Sequence, residues 1–278
     1  MAKYYYLVAG LPDITLDDSK LNYTVEDFKA EIYPELTEKD KALIDLYYLK
    51  YDNENLLRLL KNKEAEINPR GNYAADQLLE LILSAKEGDS TGKYPSYFAK
   101  FLSAYFNTPS EDIRLPEDLL SLYYYEYAIN NNNQFIASWF EFNLNLNNIF
   151  AALTARKYKR EIAPYIVGNT EVSEVLRTSN ARDFGLSASL TYFEQLVRIS
   201  EINEIVEREK KLDLLKWDWL EEESFFSYFS VEQLFVFLMK LEMIERWISL
   251  DKETGNKLFR QLINSLKDEV QIPEELGK

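Results

Sequence analysis

WFEFNLNLNNIFAALTARKYKRE (139–161) decides how this chain is read. It has the length and apolar content of a core helix, yet Asn143, Asn145, Asn147 and Asn148 interrupt its middle. Asn is a poor helix former, and a buried amide without partners is costly. The stretch therefore raises the question of what four amides do inside a helix.

Two other stretches align with it without gaps. LYYLKYDNENLLRLLKNK (46–63), WFEFNLNLNNIFAALTAR (139–156) and VFLMKLEMIERWISLDKE (236–253) are offset by 93 and then 97 residues. Leu46, Trp139 and Val236 correspond, as do Tyr47, Phe140 and Phe237, Leu49, Phe142 and Met239, and Leu60, Leu153 and Leu250. The polar positions coincide too: Asp52 and Asn55 match Asn145 and Asn148, which match Glu242 and Glu245. Residues three apart share a helix face, so each copy carries a polar pair on an apolar helix. Such a pair holds register at a helix crossing or satisfies a neighbouring helix end. The competing reading is chance alignment of amphipathic helices, which share a period in any case. Lys63 and Arg156 match, whereas the third copy has Glu253 there and Arg246 in place of Leu56 and Ile149.

Composition narrows the function classes. The chain has 278 residues, 46% hydrophobic and 14% aromatic, enough for a large core. Eight Gly and eight Pro are few for a β-sandwich or a Gly-loop enzyme. Cysteine is absent, which removes disulfides, thiolate nucleophiles and Cys-based metal sites. Histidine is absent too, and with it the usual base near neutral pH and every His-dependent triad. A net charge of −15 repels phosphate backbones and anionic headgroups, so nucleic acid is not expected as a partner. The early run MAKYYYLVAGLPD does not read as a signal peptide, and LFVFLM (234–239) is far shorter than the roughly 20 residues that span a bilayer. A soluble cytoplasmic protein without direct membrane insertion is expected.

Along its length the chain reads as nearly all α. YYYLVAGLP (4–12) reads as a short strand or extended arm, with a helix as the alternative. Thr24 caps a short helix with Glu26 and Asp27 in its first turn, disrupted by Pro34. Helices are expected across 36–63, 74–86 and 94–106, from Pro116, through the opening stretch, over 170–177 and 187–211, and from Ser230 to a break at Gly255. Asn130–Asn133 is a turn. One helical protein with three quasi-repeats, roughly 1–90, 91–185 and 186–278, is the resulting organisation.

YDNENLLRLLKNK (51–63) and NLNNIFAALTARKY (145–158) resemble the helical repeats of the C-type connector of bacterial and archaeal V-type ATPases, related to the eukaryotic d-type connector. YYYLVAGLPD (4–13), SNARDFGL (179–186) and RWISLDKETG (246–255) resemble more closely an uncharacterised bacterial family encoded beside V-type ATPase genes. The resemblance implies a funnel-shaped helical connector with pseudo-threefold symmetry. It implies a non-catalytic role between the rotor shaft and the membrane ring, with the stalk proteins and the ring as partners. No cofactor is implied.

Other motifs carry less. EGDSTGKY (87–94) is one residue short of a phosphate loop, and Tyr94 stands where Ser or Thr is needed. ARDFGL (181–186) contains D-F-G without the rest of a kinase; it reads as a turn with Phe184 packed and Arg182 paired with Asp183, or as an interface. Leu220–Glu223 reads as a solvated turn rather than a cation site. Asp52, Asn55, Asn145 and Asn148 have oxygen for Mg²⁺ or Ca²⁺ but no dense carboxylate loop, so no metal site is expected. YYYEY (123–127) reads as core aromatics. Arg156, Lys157, Lys159 and Arg160 form the one compact basic cluster, a favourable helix end or a contact for acidic loops of a partner. The alternatives to the connector are a small-molecule enzyme using Tyr and carboxylates, or another helical adaptor. The enzyme predicts a pocket with convergent polar groups.

Overall fold

The computed structural model describes residues 4–88, 92–108 and 115–269, with side chains to Asp251 and at Thr254. Among these residues every regular element is helical, as the sequence leads one to expect. The α-helices are α1 (Tyr5–Ala9), α2 (Val25–Asp27), α3 (Glu38–Lys61), α4 (Ala75–Glu87), α5 (Ser96–Asn107), α6 (Pro116–Ile129), α7 (Gln134–Lys157), α8 (Glu171–Thr178), α9 (Phe193–Ser200), α10 (Ile205–Ser224) and α11 (Val231–Glu269). The chain divides into two compact units, Leu36–Phe226 and a terminal unit made of Met1–Glu35 with Ser227–Lys278.

In the central unit, the two long helices α3 and α7 each start at a side-chain cap. Thr37 Oγ1 accepts the Asp40 N–H at 3.2 Å, and Asn133 Oδ1 accepts that of Ile136 at 3.1 Å. These bonds satisfy donors that the first helical turn leaves without partners. α3 packs on α4 and α6, with α5 between them; α7 packs on α8, α9 and α10; and α6 joins the two sets by lying on α7. Leu43, Ile44, Leu46, Leu49, Leu56 and Leu59 form the buried stripe of α3. Tyr97, Phe98, Phe101 and Leu102 form that of α5. Each such side chain stabilises by about 1.5–3 kcal/mol when fully buried. Of the YYYEY tyrosines, Tyr124 is buried and its Oη donates to the Leu46 carbonyl at 3.0 Å; Tyr125 Oη accepts from Asn147 Nδ2 at 3.1 Å; and Tyr127 is exposed rather than part of the core. Burial pushes the Tyr97 and Tyr124 phenols well above their ordinary value, so both remain neutral donors.

The terminal unit is held by α11. Thr24 and Asp27 form a reciprocal capping box on α2, with the Thr24 N–H donating to Asp27 Oδ2 at 2.8 Å. Phe28 and Ile32 are buried, and the Tyr23 and Phe28 rings lie 5.9 and 6.5 Å from that of Phe237. After α2 the backbone widens to a π-turn at Phe28–Ile32 and tightens to a 3₁₀ turn at Tyr33–Glu35. Pro34, which has no N–H to donate, lies in that last turn.

Several sequence expectations are corrected. The N-terminal stretch is the helix α1, neither strand nor arm. It satisfies its own backbone through bonds such as Val8 N–H to Tyr4 O at 2.9 Å, and Tyr4 N–H, just before it, donates to Phe229 O at 2.7 Å. The single helix expected over 187–211 is two helices, because Glu204 turns extended and caps the second. Its carboxylate accepts the N–H groups of Val206, at 3.0 Å, and Glu207, and the i,i+4 ion pair with Arg208 that the charge spacing suggests is not formed. Leu220–Glu223 lies within α10 rather than in a turn, with Leu220 buried and the three acids exposed. α11 continues through Gly255 instead of stopping there. Part of the phosphate-loop lookalike, at 89–91, lies outside the described residues, as does the tail from 270.

Glu204→Ala removes the cap of α10. A loss of about 1 kcal/mol in urea-unfolding stability is expected, with Glu201→Ala close to neutral, because Glu201 closes α9 through its backbone N–H, which alanine keeps.

Candidate functional site

The four amides of α7 have four different fates. Asn143 Nδ2 donates back to the Trp139 carbonyl one turn earlier, at 2.8 Å. Asn147 reaches Tyr125, as above. Asn148 clasps one residue of the following loop twice: its Nδ2 donates to Val167 O at 2.7 Å, and its Oδ1 accepts Val167 N–H at 3.0 Å. The same Nδ2 also reaches Ser173 Oγ at 3.1 Å, inside the first turn of α8. Asn145, only 5% exposed, sits beside the Tyr192 hydroxyl, and its Oδ1 is buried without a hydrogen-bond partner.

The aligned positions on α3 and α11 meet similar partners. Asn55 clasps Asn68 in the same two-bond manner, donating to its carbonyl at 2.9 Å and accepting its N–H at 2.6 Å. Glu245 Oε1 accepts the Val25 N–H at 2.7 Å, at the start of α2. Thus the second residue of each pair takes a backbone N–H from a segment that leads into a helix. The first residues differ more. Asp52 is fully buried, and its carboxylate accepts from Asn72 N, Asn72 Nδ2 and Tyr73 N, at 2.9, 2.9 and 3.0 Å. Burial raises its pKa, and these bonds oppose the rise. Glu242 is buried in the terminal unit.

Close approach of these loops requires glycine. A Cβ on Gly71 would stand 2.5 Å from Asp52 Oδ1 and 3.0 Å from Asn55 Nδ2. A Cβ on Gly168, which sits at φ +82°, would stand 2.8 Å from Leu144 Cδ2.

The basic cluster and the ARDFGL turn come together. Arg156 Nη1 donates to the Arg182 carbonyl at 2.5 Å, and its guanidinium lies 3.7 Å from the centre of the Phe184 ring. Phe184 is buried at φ +56° and Gly185 follows at φ +80°. The expected Arg182–Asp183 pair is not formed; the Asp183 carboxylate instead accepts from Gly185 N, at 3.0 Å, and from the Ser187 hydroxyl, which holds its pKa below the usual range. Lys159, at φ +52°, ends α7 in the left-handed conformation, and Arg160 N–H closes back to the Ala155 carbonyl at 2.8 Å. Lys157, Lys159 and Arg160 are exposed.

Beside Asn145 opens a cleft of about 570 Å³ within the central unit. Phe142 and Trp219, stacked with centroids 4.9 Å apart at 11°, wall one side. Tyr192, Glu141, Glu171 and Glu223 also line it. Burial first, and Glu141 in addition, push the Tyr192 phenol up to about 12 against the opposing effect of the Asn145 amide. Sequence reasoning did not single out Tyr192, Glu141 or Glu171. They come from three separate parts of the chain, and no local spacing in the sequence relates them. Among the described residues, no group of three acids is placed to hold a metal ion.

A family model described as Protein of unknown function (DUF2764) matches residues 1–270. The chain belongs to this family. The match agrees with the resemblance to an uncharacterised family at YYYLVAGLPD, SNARDFGL and RWISLDKETG, and its description assigns no activity. No curated protein and no solved structure matches the chain.

Asn148→Leu leaves the Val167 N–H and carbonyl without their partner. The expected loss is about 1–3 kcal/mol in denaturant unfolding, and an unchanged midpoint would remove the clasp as a stabilising contact. Gly71→Ala should destabilise by about 1–3 kcal/mol through overpacking against Asp52, whereas Gly92→Ala, which meets nothing within 4 Å, should leave the melting temperature within error.

Proposed function

We propose that this chain is a non-catalytic helical connector in the central stalk of a V-type ATPase or ATP synthase, where it couples the rotor shaft to the membrane ring. The observation that carries the reading is the shared partner chemistry at three aligned positions, Asn55, Asn148 and Glu245, each taking a backbone N–H from a segment entering a helix. It supports the repeat on which the resemblance to the C-type connector rests. A part that transmits torque needs irregular segments fixed to stiff helices, and helix-borne acceptors fix them. The net charge of −15 suits a surface that receives basic stalk helices. In this reading the protein works on the cytoplasmic side, peripheral to the membrane through the complex. No helix among the described residues is long and apolar enough to cross a bilayer.

The enzyme alternative draws on the cleft beside Asn145, which has convergent polar groups. Its tyrosine is tuned in the wrong direction for a base near neutral pH, because a phenol pushed up to about 12 stays protonated.

A tagged copy expressed in the source organism, pulled down from its membranes and read by mass spectrometry, tests the connector. Recovery of V-type stalk and ring proteins is expected. Their presence in the input and absence from the eluate would overturn the reading.

A further inference from the structure

We propose that the cleft beside Asn145 is a binding site for an organic cation, a primary ammonium or a guanidinium, whose N–H groups donate to Asn145 Oδ1 and whose charge faces Glu141, Glu171 and Glu223. The inference does not rest on the connector reading.

The first support is a comparison inside the chain. Asp52 and Asn145 occupy aligned positions on α3 and α7. At Asp52 three N–H donors from Asn72 and Tyr73 fill the carboxylate. At Asn145 the following loop binds one turn further along the helix face, at Asn148, and supplies nothing to Asn145 Oδ1. A buried acceptor without a donor costs about 1–3 kcal/mol. The position that is satisfied from within the chain on α3 is unsatisfied on α7, and what it lacks is a donor.

The second support is charge. Glu141 precedes Asn145 by one turn on α7, Glu171 begins α8, and Glu223 lies near the end of α10. All three line the cleft, and no basic side chain pairs with any of them among the described residues. A donor carrying positive charge answers both the orphaned oxygen and the carboxylates. These acids are not grouped closely enough to chelate a metal ion. An ammonium or guanidinium on a carbon stem places its N–H groups separately and suits that spacing better. The stacked Phe142 and Trp219 rings offer the stem an apolar wall. The volume, about 570 Å³, lies in the range of small-molecule pockets.

The group comes from one of two sources, a free amine or a basic side chain of a partner protein. Two probes separate them: 1,5-diaminopentane for the first and N-acetyl-argininamide for the second, with 1-pentanol and acetate as neutral and anionic controls. The full chain is titrated with each while the indole N–H resonance of Trp219, assigned with Trp219→Phe, is followed by NMR. A saturable shift with either cation, weakened by salt, is expected. Glu141→Gln with Glu223→Gln should weaken it about tenfold or more; neither carboxylate has a partner to lose among the described residues, so the fold is kept. Asn145→Leu, checked by its melting curve, should do the same. Response to the diamine alone assigns a free amine, response to the argininamide alone assigns a partner's side chain, and response to both supports the site as a general cation pocket. No saturable shift with either cation, an equal shift with pentanol or acetate, or full affinity in the double Gln variant would overturn the proposal.

Discussion

A side-chain oxygen on a buried helix that accepts one backbone N–H from an irregular segment is the contact on which the rest of this molecule depends. Helices satisfy their own backbones, but loops that run against a core do not, and each buried N–H needs an acceptor. Asn55 and Asn148 answer this most fully, because an amide offers one donor face and one acceptor face. Each embraces both the N–H and the carbonyl of a single loop residue, as a neighbouring strand would. Glu245 can only accept, and it holds only an N–H. Asn is therefore suited to the middle of α7 in spite of its poor helix propensity, since the cost within the helix is offset at the loop.

The glycines complete the same device. A loop clasped by a helix-borne amide must come close enough for two short hydrogen bonds, and a methyl group at the point of closest approach would prevent it. Gly71 meets the polar pair of α3 directly, and Gly168 meets Leu144 on α7. The two loops thus use their glycines for approach, at different atoms of the helix below. The Arg156 guanidinium, laid on Phe184 and bonded to the Arg182 carbonyl, ties a further turn to the end of α7.

Helix identity was legible wherever periodicity and capping agreed: Thr37, Asn133 and Thr170 each cap a helix that the apolar pattern places there. It failed where a local hydrogen bond overrode a good helical pattern. Glu204 looks like one half of an i,i+4 pair, and nothing in the charge spacing reveals that its carboxylate turns back to cap the next helix. YYYLVAGLP looks like strand because its residues favour pleated surfaces, but without a neighbouring strand its backbone is better satisfied by helical bonds. The polar pairs could be found by aligning the chain with itself, since the same residues recur at the same phase. The cleft could not. Its acids sit on α7, α8 and α10, and no local spacing relates them. Arg182 and Asp183 were adjacent enough to suggest a pair, yet the turn gives the carboxylate nearer donors at Gly185 and Ser187.

The bond from Val25 to Glu245 spans 220 residues of sequence, and the terminal unit around it is made from both ends of the chain. During synthesis the segment bearing Phe28 and Ile32 leaves the ribosome long before the helix that covers it exists. The central unit, which is continuous in sequence, has all its residues in hand first. At the usual pace of translation, on the order of 5–20 residues per second, the early segment waits about ten seconds or longer with its apolar side chains uncovered. Once the central unit has folded, it shortens the loop that must close to bring α2 to α11, and so lowers the entropy lost on closure. The order of birth along the chain thus makes assembly of this unit a late step, and it leaves the side chains of Phe28 and Ile32 uncovered until then.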